Sequence, residues 1–120
     1  MESINTTVKG KRGEDIAVAY LKRNGFEIIK RNFHFGRNGE IDIIAELNSV
    51  LVFVEVKMRS SDTYGDPLLS INFAKQKSLR KTAEGFLYIN KIIDKECRFD
   101  IITIDVSQNP PRIDHLVNAM

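Results

Sequence analysis

The sequence is poor in the residues that build zinc sites and covalent staples. It holds one cysteine, Cys97, so no disulfide can close within the chain. Its two histidines, His34 and His115, are isolated, and no Cys/His run has zinc-ligand spacing. The same scarcity leaves no Ser/His/Asp set to argue for. A lone thiol without a staple suits a reducing compartment, so a cytoplasmic location is expected. Cys97 itself reads as a core or strand-edge residue, not a nucleophile. No apolar stretch opens the chain, so no signal peptide is expected. The longest apolar run, Val50 to Val54, falls far short of the roughly 20 residues a bilayer span requires, so no membrane partner is expected. No GxxxxGK[ST] segment is present, which argues against ATP-driven chemistry. Charge of one sign is lacking too: 18 Lys and Arg stand against 16 Asp and Glu, a net charge of +2. A nucleic-acid partner would therefore have to meet a local basic face, not a basic chain.

What is present is an ordinary globular composition. The 120 residues are 42% hydrophobic and 28% charged, without repeats, low-complexity blocks or linkers. That is the size of one domain with a real core. The expectation is a single domain over 1–120, frayed at 1–8 and in the last few residues. Ile16, Ala17, Tyr20 and Leu21 recur at helical spacing between about Gly10 and Asn24, and Gly25 is a good stop. Phe26 to Asn32 reads as a strand, with Phe26, Ile28 and Lys30 on one face. Phe33 to Gly39 reads as a turn, with Phe33 and Phe35 as core anchors. Glu40 to Glu46 and Val50 to Lys57 read as strands joined at Asn48-Ser49. The second of these is so continuously apolar that it should be central and covered on both faces. After a polar loop to Pro67, Asn72 is a plausible N-cap for a helix over Phe73 to Asn90. Arg98 to Val106 is a fourth strand, and Ile113 to Leu116 a short edge strand. The order α-β-β-β-α-β, with a final β, predicts a mixed α/β fold with helices packed on a sheet of four to five strands.

Chemistry enters where charge interrupts the apolar strands. Side chains alternate faces along a strand, so Glu55 and Lys57 share one face and Val52, Val54 and Val56 the other. Glu40 and Asp42 share a face by the same rule. If the two strands pair around Asn48-Ser49, Asp42 and Glu55 lie nearly opposite one another. Opposed residues sit about 4.5–5.5 Å apart, and two carboxylates that close repel unless a cation joins them. Mg²⁺ or Mn²⁺ is the natural candidate, bound by a few carboxylates and a substrate phosphate. Lys57 would then orient or deprotonate the attacking water, or neutralise charge developing on phosphorus.

Asp42, separated by twelve residues from Glu55-Val56-Lys57, resembles the PD-(D/E)xK nuclease pattern, with Ile41 where that pattern has proline. More narrowly, the chain resembles the YraN family of small bacterial proteins. The matching stretches are Gly13-Glu14-Asp15-Ile16-Ala17, Gly39-Glu40-Ile41-Asp42, Val52 through Arg59, and Arg98-Phe99-Asp100-Ile101. The resemblance implies a restriction-endonuclease-like fold similar to that of archaeal Holliday junction resolvases. It also implies metal-dependent hydrolysis of nucleic acid, most naturally DNA and including branched or damaged DNA. Glu14 is the matching extra acid of the first helix. The implied catalytic set is Glu14, Asp42, Glu55 and Lys57, with Asp42 and Glu55 on the metal and Glu40 in support. A homodimer is the assembly such nucleases often use, because two strands need two sites.

Each residue also has a plainer reading. Glu14 could be a helix N-terminal acid favoured by the dipole. Glu55 and Lys57 could be a same-face ion pair. Arg59, Lys75 and Gln76 could contact phosphate or simply be solvated. Arg98 and Asp100 read best as a structural salt bridge, and Tyr64 as a loop residue able to stack on a base. The competing functions are a nucleic-acid-binding module of the nuclease fold without turnover, acting in repair or recombination, and an interaction scaffold with a vestigial acidic pocket.

Overall fold

The computed structural model describes residues 6–37, 39–59 and 71–120, with side chains from Lys11 onward. The elements are α1 (Thr6–Arg23), β1 (Glu27–His34), β2 (Glu40–Leu47), β3 (Val50–Arg59), α2 (Phe73–Ile89), β4 (Cys97–Asp105) and β5 (Arg112–Leu116). The strands form one sheet in the order β1-β2-β3-β4-β5. The first three run as an antiparallel meander, β4 joins β3 in parallel through the α2 crossover, and β5 closes antiparallel on β4. This is the expected mixed α/β architecture, with the predicted central strand at β3.

Two helices cover the two faces of the sheet. Ala17 and Leu21 of α1 pack with Ile43, Ala45, Val52, Val54, Ile102 and Ile104. Leu79, Ala83 and Phe86 of α2 pack with Phe33, Ile41, Ile44, Leu51 and Phe53. Strand β3 feeds both clusters, alternating Val52 and Val54 with Leu51 and Phe53, which is why its sequence is apolar without a break. No described helix is long and apolar enough to cross a membrane.

The predicted stops hold for physical reasons. Gly25 takes φ +88°, and its N–H bonds to the Lys22 carbonyl while Phe26 N–H reaches Leu21. That is a Schellman end, and Leu21 and Phe26 make the apolar contact that accompanies it. Asn48 and Ser49 both adopt positive φ, 51° and 68°, the conformation a two-residue hairpin demands. The β2–β3 register then pairs Ile43 with Val54 and Leu47 with Val50, as the sequence count requires. Asn72 caps α2, its side chain accepting Lys75 N–H at 2.8 Å.

Elsewhere the structure departs from the reading. Helix α1 begins at Thr6, inside the stretch expected to fray. Its Gly13 is tolerated because a Cβ there would stand only 3.2 Å from Met58 Sδ, so the glycine lets α1 pass close to the end of β3. Strand β1 extends through Phe33 and His34, where a turn was expected. A bulge between Ile28 and Lys30 breaks the alternation, so Phe26, Ile28 and Lys30 do not form one continuous face. The last residues are not frayed: Ala119 N–H bonds to the Phe99 carbonyl and Met120 packs on the α2-side cluster. Tyr64 and most of the loop to Pro67 lie outside the described residues.

Gly85, buried in α2, is covered by the Phe35 ring, and a Cβ built there would come within 2.3 Å of it. Phe35 is thus the core anchor expected. Gly85→Ala should lower stability by about 1–3 kcal/mol, because displacing the ring outweighs the roughly 1 kcal/mol of helix propensity gained. Equilibrium urea unfolding measures it; an unchanged or raised midpoint would mean the ring swings aside freely.

Candidate metal and nucleic-acid site

The site forms where β2 and β3 part. Their ladder ends at Ile43↔Val54. Just beyond it, one residue along β2 and two along β3, the Val56 N–H donates to the Asp42 carboxylate at 2.8 Å. Asp42 therefore sits in the fork of the two strands. The alternation of β2 breaks at the same place: Ile41 joins the α2-side cluster and Ile43 the α1-side cluster. On the neighbouring strand Asn32, level with Asp42 between the pairs Arg31↔Ile43 and Phe33↔Ile41, takes φ +54°. A left-handed residue inside a strand is a local strain, and asparagine bears it better than most.

Two glycines bring further acids to the fork. Gly13 lets α1 approach β3, which sets Glu14 beside the strands. Gly39 takes φ +139°, and a Cβ there would collide with Ser78 Oγ at 2.6 Å, so glycine alone lets the chain turn into Glu40 under α2. The result is a trio. Glu14, Glu40 and Asp42 each offer a carboxylate oxygen, all within 4.8 Å of one another. Glu14 lies in mid-helix, not in the first turn of α1, so its helix-dipole reading falls away. Its Oε1 is enclosed, and its cationic partner among the described residues is the Arg31 guanidinium, a long 3.5 Å away. Arg31 is itself drawn to Asp15 at 2.7 Å. The trio opens into a cleft of about 580 Å³ lined also by Lys11, Arg31, Asn32 and His34.

Glu55 stands outside the trio. It is 8% exposed, and its Oε2 lies 3.7 Å from Lys57 Nζ and 3.4 Å from Lys75 Nζ. The same-face pair with Lys57 is thus real, and α2 adds a second ammonium. Glu55 nevertheless acts on Asp42. Burial, then the negative charge of Glu55, push the Asp42 carboxyl up to about 7, with Glu14 and Glu40 adding to the rise and the Val56 N–H opposing it.

The residues expected on phosphate are spread unevenly. Lys75 is engaged with Glu55. Gln76 turns its amide to the Ile71 carbonyl at 3.3 Å, which ties down the start of α2. Arg59 ends β3, its carbonyl accepting the Val106 N–H. The sequence reading missed the opposite wall of the cleft, Lys11, Asn32 and His34; His34 Nε2 lies 3.8 Å from Glu40 Oε1. The signal available was the extension of β1 through His34, which the glycines after it masked.

Arg98 and Asp100 form the expected structural bridge, at 3.1 Å. His115, which looked isolated, completes it: its Nε2 lies 2.8 Å from Asp100 and its Nδ1 3.0 Å from the Tyr20 hydroxyl.

Comparison with known proteins follows the same residues. The model of the uncharacterised protein family UPF0102 matches residues 13–104, which include all four acids and both lysines around them. A UPF0102 protein of Persephonella marina is 48% identical, over 93% of this chain and 92% of its own. Those of Geobacter sulfurreducens and Geobacter metallireducens are 44% and 42% identical, each over 98% of this chain and over 91% and 95% of their own. With the family model covering the site and relatives this similar along nearly the whole length, the chain belongs to the UPF0102 family, the YraN family its motifs resemble.

Proposed function

We propose that the protein is a Mg²⁺- or Mn²⁺-dependent nuclease that hydrolyses phosphodiester bonds in nucleic acid, DNA foremost. The observation that carries this reading is the fork itself: three carboxylates from two elements within 4.8 Å, beside a fourth charged enough to help hold Asp42 near pH 7. Three carboxylates gathered this closely repel one another, and a cation among them would offset that repulsion. The donor set is all oxygen, which suits a hard divalent ion better than zinc. The enclosed Glu14 Oε1, held only loosely by Arg31 at 3.5 Å, has room to accept such a partner. Glu14, Glu40 and Asp42 would hold the ion, with Glu55 within electrostatic reach.

A bound Mg²⁺ or Mn²⁺ would polarise the scissile phosphate and lower the pKa of a coordinated water. The chain's own groups do the rest. Lys57, on the Glu55 face of β3, is placed to orient the attacking water or to neutralise charge on phosphorus. The cleft beside the trio has cationic and polar groups on α1 and β1, and Lys57 and Lys75 add two ammonium groups at Glu55. These positive groups are ones a polynucleotide backbone could meet beside the carboxylates.

The test is cleavage of duplex, single-stranded and branched DNA, with RNA counterparts, under Mg²⁺ and Mn²⁺. Metal-dependent strand breaks are expected, falling by about a hundredfold or more in Glu55→Ala and Lys57→Ala proteins that still fold. Normal cleavage by these variants would end the assignment. Salt-dependent binding without breaks under either metal would favour the non-catalytic nucleic-acid module.

A further inference from the structure

We propose that Lys75 is a positioning residue that holds Glu55 in place of the metal and releases it when a phosphate arrives, so that metal and polynucleotide bind cooperatively. The proposal rests on the nuclease reading and adds a regulation to that site.

Glu55 is nearly buried, and among the described residues its carboxylate pairs with two ammonium groups, one from its own strand and one from α2. At 3.7 and 3.4 Å these pairs are longer than the roughly 2.7–2.9 Å of a tight charge-assisted hydrogen bond. They are Coulombic contacts that another ion can displace. Glu55 is also the acid that stays outside the trio of Glu14, Glu40 and Asp42. A cation held by the trio would therefore compete with the two lysines for the same carboxylate.

Lys75 is the partner built to let go. Its main chain is fixed: the N–H is capped by Asn72, and the preceding Ile71 is buried and bonded to the Gln76 amide. Its side chain is two-fifths exposed and crosses from α2 to β3 to reach Glu55. It lies in the first turn of α2, a turn without an acid, where the helix dipole disfavours a cation. A lysine there works against its own helix and is offset by the carboxylate it holds. Lys57 lies two residues along the same strand from Glu55, on the same face, so its backbone keeps it a neighbour of that carboxylate.

A phosphate at the mouth of the fork would draw the Lys75 ammonium from Glu55 and leave the carboxylate free to face the cation. Linkage then requires that the polynucleotide tighten metal binding and the metal tighten polynucleotide binding by the same factor. Without the polynucleotide, Lys75 lowers metal affinity.

Calorimetric titration with Mn²⁺ tests this, alone and with a DNA duplex carrying phosphorothioate linkages that resist hydrolysis. The wild-type protein should bind Mn²⁺ about tenfold more tightly with the duplex. Lys75→Ala should bind Mn²⁺ alone about three- to tenfold more tightly than wild type, and gain less than twofold from the duplex. Lys75→Arg should restore the coupling. Lys81→Ala, which removes a charge from the outer face of the same helix, should behave as wild type. A Lys75→Ala protein with wild-type Mn²⁺ affinity, or with an undiminished gain from the duplex, overturns the proposal while leaving the nuclease reading standing if cleavage is intact. A wild-type protein that neither binds Mn²⁺ nor cleaves overturns both.

Discussion

Asp42→Asn should make the metal-free protein more stable at pH 8 while reducing cleavage by about a thousandfold or more, an effect on the scale of removing a principal electrostatic group from an active site. The two effects share one cause. Burial and three acidic neighbours hold the Asp42 carboxyl at about 7 in the folded chain, against 3.8 when it is free. Below about pH 4 both states carry the proton and Asp42 costs nothing. As pH rises from 4 to 7 the unfolded chain releases the proton while the folded chain retains it, so stability falls with each step. Above 7 the folded protein holds an anion it disfavours. Asparagine keeps the shape and can still accept the Val56 N–H through its carbonyl oxygen, but it carries no charge. The expected gain at pH 8 is on the order of 2–4 kcal/mol, or roughly 10 °C in thermal midpoint for a domain of this size.

The profile is as diagnostic as the value. The difference between the variant and wild type should shrink toward zero between pH 7 and pH 4. Mg²⁺ or Mn²⁺ should stabilise the wild type increasingly over the same rise in pH, because a cation favours the ionised carboxylate, and should barely move the variant. Thermal unfolding at pH 4.5, 6, 7 and 8, with and without Mn²⁺, reads all of this. A variant less stable than wild type at pH 8 would mean that the Asp42 charge is already compensated within the fold, and the argument for a cation would lose its main support.

How far this site could be read from sequence follows from the range of the forces involved. The Asn48-Ser49 turn is local chemistry, and it fixes the β2–β3 register, so Asp42 and Glu55 could be set level by counting. Gly25 and Asn72 are likewise local signals that end one helix and start another. The trio was harder. Glu14 reaches the fork only because Gly13 lets α1 press on Met58, and Glu40 only because Gly39 turns beneath Ser78. Both glycines are visible in the motifs, but their partners lie dozens of residues away. The twist at Asn32 and the break of alternation at Asp42 carry no sequence signature at all, since strand parity assumes a regular strand. The pairing of Glu55 with Lys75 depends on where a crossover helix lands on the sheet. Periodicity predicts that helix, not its landing.

The largest loss of stability is expected nearer the other edge of the same sheet, where β4 meets β5. Asp100 is 1% exposed and is the hub of three groups. Arg98 donates to it from two positions along β4, at 3.1 and 3.2 Å, and the Asn118 N–H from the C-terminal turn at 3.1 Å. His115 of β5 lies 2.8 Å away and links onward to Tyr20 of α1. The carboxylate can only accept, so the imidazole Nε2 carries the proton between them. Burial alone would raise the Asp100 pKa, but the bonds from His115, Arg98 and Asn118 win and hold it below its ordinary value. Its stabilisation is therefore present above about pH 4 and fades as acid titrates the folded carboxylate. Asp100→Ala should cost about 3–5 kcal/mol at pH 7, because it leaves a guanidinium, an imidazole N–H and a backbone N–H without their common acceptor. That is a large part of the roughly 5–15 kcal/mol that holds a domain together, so low soluble yield is expected as well. Asp100→Asn keeps one acceptor oxygen and should lose less. Because this hub ties β5 and the C-terminal turn to α1, hydrogen exchange in Asp100→Asn should quicken first in Arg112–Leu116 and leave β2 and β3 protected. A cost below about 1 kcal/mol for the alanine variant, or exchange that quickens evenly across the sheet, would show that the edge strand is held by its ladder alone.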